Sequence, residues 1–187
     1  IFFNMFHQIQ SFVNEKITTK TNKNSNHNFY IYVGKSTPDT ILDINISKED
    51  FVKILEILSN SSTLKDSSFS KEKVYFINNT YHILKDNKIQ SNIIKSVDYK
   101  RIDNTISIIY KLEKVIPNKN FNSYNSYNHT ENRETIKIRY KSIEIYLNHI
   151  LQDRENSESY SIYFKFNNEN YSESILNLID IMKLLHL

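Results

Sequence analysis

The chain has 187 residues, a formal net charge of +3, no cysteine and a single glycine. That length is enough for one domain with a sizeable core. The missing cysteine excludes disulfides, thiolate catalysis and cysteine-ligated zinc, and leads us to expect an intracellular, reducing or redox-indifferent setting.

The mild basicity falls short of a protein that coats nucleic acid. The wealth of Asn, Ile, Lys and Ser, without alanine or tryptophan, is what AT-rich coding produces, in the manner of viral or organellar genomes. No stretch approaches the ~20 apolar residues of a transmembrane helix.

Residues 1–17 carry Phe2, Met5, Phe6, Ile9, Phe12 and Val13 at helical spacing, with Lys16 near the end where a helix C-terminus favours it. The period predicts an amphipathic helix whose apolar face, Ile1–Val13, docks on this domain or on a protein partner. Residues 18–28 are polar and without period, a linker. Two short strands, Phe29–Gly34 and Ile41–Ile46, precede a helix with a well-marked start. Ser47 stands at the N-cap and Asp50 at the third helical position, while Ile46 and Phe51 are placed for a hydrophobic staple. Phe51, Val52, Ile54, Leu55 and Leu58 then share one face, which must lie on a sheet.

After a Ser-rich loop over Ser59–Lys71 the texture changes to alternation. Val74–Ile77 and Tyr81–Leu84 flank Asn78-Asn79-Thr80, a hairpin turn because Asn tolerates positive φ. Val97–Ile102 and Thr105–Ile116 flank Asp103-Asn104 in the same way. In the second of these strands Ile106, Ile108, Tyr110 and Leu112 point one way and Ser107, Lys111 and Glu113 the other, and Pro117 ends it.

Residues 117–134 read as a low-complexity insert. Thr135–Leu147 alternates until its phase slips at Ser142–Ile143, a bulge or a break. Tyr160–Phe166 is the last strand. Asn170 with Glu173 then caps a closing amphipathic helix, whose apolar face, Ile175–Leu187, is a second expected partner surface. The whole predicts one α+β domain over 29–187: a curled or closed antiparallel sheet of about eight strands, with an inserted helix and amphipathic helices at the N- and C-terminal ends.

The chemistry is mostly defined by what is missing. With Gly34 alone, no phosphate-cradling loop, dinucleotide fingerprint or nucleophile elbow can form. His7, His27, His82, His129, His149 and His186 have no metal-ligand spacing. We therefore assign no catalytic residue, metal ligand or cofactor from composition and spacing. One constellation remains. Lys137, Arg139 and Lys141 share a strand face, and Lys100, Lys111 and Lys165 lie in neighbouring strands. On a concave face they would form a channel for phosphates or RNA; on a convex face they are solvated charges.

The order of elements resembles the tunnel-type messenger-RNA 5′-triphosphatases and the wider CYTH group. That family opens on a Glu-x-Glu-x-Arg-x-Gly strand and ends on a Tyr-Glu-x-Glu-x-Glu strand before a helix. This chain has NFYIYVG (Asn28–Gly34), then ILDINI and the helix FVKILEIL. Its middle strands are VDYKRI and TIKIRYK, and YSIYFK (Tyr160–Lys165) is followed by ILNLIDIMKLL.

The resemblance implies an antiparallel barrel over residues 28–187 whose interior binds triphosphate and metal. It would place the family's first glutamates at Asn28 and Tyr30 and its last ones at Ser161, Tyr163 and Lys165. A hard divalent cation needs those carboxylates, so a catalytically degenerate relative is implied. The expectation is a non-enzymatic structural or interaction subunit of a larger assembly. An RNA-binding or ribosome-associated protein is the alternative, and a 5′-triphosphatase-type phosphohydrolase the third reading.

Overall fold

The computed structural model describes residues 2–18, 26–36, 42–61, 66–117, 127–153, 157–166 and 170–187. Most of the linker, Ile1 and residues 118–126 of the expected insert lie outside the described residues.

Among the described residues there are three helices, α1 (Phe2–Thr18), α2 (Lys48–Asn60) and α3 (Tyr171–Leu184). The strands are β1 (Asn26–Val33), β2 (Lys35–Ser36), β3 (Leu42–Asp43), β4 (Asp66–Ile77), β5 (Thr80–Lys85), β6 (Lys88–Arg101), β7 (Ile106–Ile116), β8 (His129–Tyr140), β9 (Ile143–Gln152) and β10 (Ser157–Phe166). Eight of them close an antiparallel barrel in the order β1-β10-β9-β8-β4-β5-β6-β7, while β2 and β3 form a separate two-stranded ribbon. β1 seals the barrel by pairing with β10 on one side and β7 on the other.

Period-two alternation gives every barrel strand two faces. On β1, β7, β9 and β10 the outer face is apolar. Phe29 and Ile31, Ile106, Ile108 and Leu112, Ile143, Ile145 and Leu147, and Ile162 and Phe164 are all buried there. They join one core with Met5, Ile9, Phe12 and Val13 of α1 and Ile175, Leu178, Ile179 and Met182 of α3. Each such side chain withdrawn from water contributes about 1.5–3 kcal/mol. The main core is thus outside the barrel, between its wall and the two long helices.

This placement covers most of the apolar positions on the two faces, Ile1–Val13 and Ile175–Leu187, that were expected to meet a partner. Met5, Ile9, Phe12 and Val13 of α1 and Ile175, Leu178, Ile179 and Met182 of α3 are covered by the chain's own barrel and by each other, while Phe3, 78% exposed, Leu176, 55% exposed, and Leu184, 39% exposed, stay open.

α2 starts as expected. The Asp50 amide donates to Ser47 Oγ at 3.0 Å, and the Ser47 hydroxyl donates to the Asp50 carboxylate at 2.7 Å. Phe51, Ile54 and Leu58 are buried and Leu55 is half-covered, but Val52 is exposed. The apolar stripe is narrower than the sequence suggested because α2 rests mainly on β10, with the Phe51 ring 5.0 Å from that of Tyr160. α3 likewise starts on Asn170, whose side chain accepts from the Glu173 amide.

Other boundaries moved. β4 begins at Asp66, inside the stretch read as loop, and β8 begins at His129, inside the stretch read as insert. Of the expected strand Ile41–Ile46, Ile41 lies outside the described residues and Leu42–Asp43 is strand, followed by an isolated bridge from Ile46 to Tyr160. The phase slip after Tyr140 is a true break: Lys141 and Ser142 form the tight turn between β8 and β9, with Lys141 at φ 50°. A further hairpin between β5 and β6 turns on Asp86 and Asn87, both at positive φ, the geometry that matches strand twist.

Ser47→Ala removes the acceptor for the Asp50 amide and should cost about 1 kcal/mol. Urea denaturation should show the midpoint falling with an unchanged slope. An unshifted midpoint would show that the cap contributes nothing.

Candidate functional site in the barrel lumen

The inner face of the same strands is polar. Alternation and register put Asn28, Tyr30 and Tyr32 of β1 inside, beside Lys111 and Ile109 of β7 and Lys165 and Tyr163 of β10. Tyr163 and Lys165 in turn oppose Tyr146 and Glu144 of β9. Those two oppose Lys137 and Arg139 of β8. Further along β8, Arg133 and Glu131 face inward, with Glu72 of β4 opposite Arg133.

Tyrosines fill the centre. The rings of Tyr146 and Tyr163 stack at 4.7 Å and 13°, Tyr32 lies 5.1 Å from Tyr163, and Tyr30 meets Tyr163 edge-on at 5.6 Å.

Each inward carboxylate is engaged. Glu144 takes Lys137 at 2.7 Å, Tyr146 Oη at 2.7 Å and Arg139 at 3.8 Å. Glu131 takes Arg133 at 2.8 Å and His129 at 2.9 Å. Glu113 accepts from Asn28 Nδ2 at 2.9 Å and from Tyr81 Oη at 3.0 Å. Glu72 accepts from Ser70 at 3.2 Å and pairs with Lys85 at 3.4 Å.

Burial governs the titration of these groups. It pushes the Tyr32 phenol up to about 12, helped by Glu113 and Glu131 and opposed by Arg133. Tyr30, Tyr81, Tyr146 and Tyr163 are raised by the same desolvation. Burial alone would raise Glu144, but the bonds from Lys137 and Tyr146 outweigh it and hold the carboxyl below its ordinary range. Desolvation pulls the Lys111 ammonium down.

Of the six basic residues singled out from the sequence, Lys111, Lys137, Arg139 and Lys165 meet in the lumen. Lys100 does not: it opposes Ile108 on the outer face, where its neighbour Asp98 bonds Lys16 of α1. Lys141 does not either: it sits in the β8–β9 turn, 3.9 Å from Asp180 of α3. Sequence reading missed Arg133 and Glu131. The signal was there, since Glu131, Arg133, Thr135, Lys137 and Arg139 continue one period-two series, but its first half lay in the run taken as insert.

The donor set does not fit a divalent metal. The positions that the resemblance assigns to metal-binding carboxylates hold Asn28, Tyr30, Ser161, Tyr163 and Lys165. Among the described residues no three His, Asp or Glu side chains converge to hold an ion.

A closed eight-stranded antiparallel barrel, with charged residues along its lumen and helices packed outside, is a tunnel barrel. Solved structures of that kind are similar to this chain throughout. The Pct1 RNA triphosphatase of S. pombe superposes with a TM-score of 0.64, at 11% identity, over 97% of this chain and 86% of that one. The same enzyme in complex with the Spt5 CTD gives 0.63, at 12% identity, over 97% and 88%. The Mimivirus capping enzyme triphosphatase gives 0.62, at 11% identity, over 98% of both chains. No family model matches the sequence, and no curated protein matches it. The resemblance read from the order of elements therefore holds for the fold.

The lumen tyrosines should resist alkali. Their raised values mean that the unfolded chain loses phenolic protons first. Stability should therefore be intact below the ordinary phenol range near 10 and fall as pH rises above it. Phenolate absorbance of native protein should lag that of protein in urea. Coincident titration curves would show the lumen open to water.

Proposed function

We propose that the protein is a non-enzymatic structural or interaction subunit of a larger assembly, built on a triphosphatase-type barrel. The observation that carries this is the lumen itself. Rings of Tyr30, Tyr32, Tyr146 and Tyr163 pack together there, and Asn28, Tyr30, Ser161, Tyr163 and Lys165 stand where metal-binding carboxylates would be needed. Without those carboxylates a divalent ion has no hard oxygen cage, and a phosphoryl group would lose the Lewis acid that neutralises its developing charge.

A role through the outer surface accords with the exposed Phe3 and Leu176 on the helix pair. It is also supported by a barrel of the same fold carrying a protein partner, as Pct1 does with the Spt5 CTD. A second reading, RNA binding, is supported by the meeting of Lys111, Lys137, Arg139 and Lys165 in the lumen.

With magnesium or manganese, nucleoside triphosphates and 5′-triphosphate RNA should release no phosphate above background. Release that ceases on adding a chelator would overturn the reading. Protein taken from its native source should elute as part of an assembly, which Phe3→Asp with Leu176→Asp should disperse while leaving the barrel folded. Elution of the unaltered protein as a lone monomer would count equally against it.

A further inference from the structure

β5 is too short to cover β6. Their pairing ends at Ile93 opposite Thr80, and the Ile94 amide donates to Asn79 O at 2.8 Å. From Lys95 to Arg101 β6 runs on with β7 on one side and no strand on the other among the described residues. The ladder settles which way its main chain points. The Gly34 amide donates to Thr105 O and the Ile102 amide to Ile106 O, both at 2.9 Å. By antiparallel alternation, the odd-numbered residues at this end of β7 therefore bond β1 and the even-numbered ones bond β6. Ile106, Ile108 and Tyr110 engage Ile102, Lys100 and Asp98. The amides and carbonyls of Val97, Tyr99 and Arg101 are left pointing out of the open edge.

Side chains on this edge are open too, with Val97 53% and Tyr99 57% exposed. The Tyr99 amide is taken at 2.9 Å by the carboxylate of its own neighbour, Asp98, whose other oxygen is held by Lys16 of α1. A side-chain oxygen thus supplies the acceptor that a neighbouring strand would supply. Because Asp98 is engaged by Lys16, the edge is left net positive through Lys95, Lys100 and Arg101. The Arg101 guanidinium is braced on the following turn, by Asp103 O at 3.0 Å and by Asn104. Lys95 and Lys100 form no ion pair among the described residues. An open strand edge of this kind pairs readily with another chain.

We infer that the open edge of β6, Lys95–Arg101, is a docking site for an extended acidic peptide of a partner protein, which adds to the barrel wall as one more antiparallel strand. Main-chain bonds to Val97, Tyr99 and Arg101 supply the affinity, and the side chains choose the partner. Apolar residues opposite Val97 and Tyr99, with acidic ones opposite Lys95, Lys100 and Arg101, complement this edge in shape and charge. A second copy of this chain would set one net-positive edge against another. A nucleic acid carries the right charge but has no ladder of amides and carbonyls. The inference rests on the reading of the protein as an assembly subunit and gives it a second surface, apart from Phe3 and Leu176.

The test is fluorescence anisotropy of labelled peptides on the full chain at low salt. The probes are the blocked peptide EEVTVSE, its lysine counterpart KKVTVSK, and the acidic peptide N-methylated either at both valines or at the threonine. EEVTVSE should bind, more weakly as salt is added, and KKVTVSK should not. The valine amides would face β6, so methylating them should weaken binding about tenfold or more. The threonine amide would face away, and methylating it should leave binding nearly unchanged.

Val97→Pro removes an amide that the β6–β7 ladder does not use. Its melting temperature should hold while the affinity for EEVTVSE falls about tenfold or more. Lys95→Glu with Lys100→Glu leaves the backbone alone and should turn the preference to KKVTVSK, whether or not the proline variant folds. No binding of EEVTVSE at low salt, equal binding after valine methylation, or an unchanged preference in the charge-reversed variant would each overturn the inference. So would a dimer of this chain that Val97→Pro disperses, which makes a second copy the occupant. A single-stranded oligonucleotide that displaces EEVTVSE and binds as tightly would also overturn it, because the edge would then read charge alone. Peptide binding by a protein that elutes from its source as a lone monomer would refute the assembly reading and uphold the edge. A native assembly without peptide binding would do the reverse.

Discussion

Closure of the barrel through β1 is the constraint on which the other features rest. Phe29 opposes Tyr110 and Tyr30 opposes Ile109 on one side, while Tyr30 opposes Lys165 on the other. A slip of one residue would send Tyr30 and Tyr32 out against the helices and bring Phe29 and Ile31 into the lumen. What forbids the slip is the outer face. The Phe29 ring meets those of Tyr110, Phe166 and Tyr171, and Ile31 has no exposed surface at all. Register, helix docking and most of the buried apolar area are therefore decided on the side away from the lumen. The fold can persist while the chemistry inside it changes, which is how a chain at 11% identity keeps the architecture of an RNA triphosphatase.

The parts legible in the sequence were those where one physical rule acts alone. The start of α2 was legible because Ser47, Asp50 and the apolar positions after them agree. The apolar face of β7 was legible because Ile106, Ile108, Tyr110 and Leu112 recur at period two. The first part of β4, before the expected Val74–Ile77, was not, because its inner face carries Ser68, Ser70 and Glu72 while its outer face leaves Phe69 in water, so no apolar stripe marks it.

Lys100 and Lys141 show the limits of counting by twos. The register of β6 shifts between Ile94 and Ser96, and a bulge changes which residues face inward without any mark in composition. Lys141 continues the series of Lys137 and Arg139 on paper, but the chain has already turned.

The phenols packed in the lumen do more than fill space. Packed rings exclude water, and the electrostatics of whatever charge stays inside become stronger. The bond of Tyr146 to Glu144 and that of Tyr81 to Glu113 follow from this: a buried carboxylate keeps its charge only where donors surround it. Some ordinary polar groups of the lumen are matched too, with Thr135 donating to Asn148 and Asn148 to Ser161. That chain of bonds spans three strands, so a substitution at Asn148 is felt on β8 and β10 as well as β9. Among the described residues, no helix is long and apolar enough to cross a membrane.

The reverse turns leave a different mark. The chain's one glycine, Gly34, donates its amide to Thr105 rather than serving a left-handed turn. Among the described residues the left-handed positions fall to Asn78, Asp86, Asn87, Lys141 and His186. A residue with a side chain pays roughly 1–2 kcal/mol there, less for Asn and Asp. The hairpins thus hold a reserve of conformational strain, largest at Lys141, and a glycine at that position would release it without touching either face of the barrel. The scarcity of glycine in this chain has a thermodynamic signature, written in its turns rather than in its core.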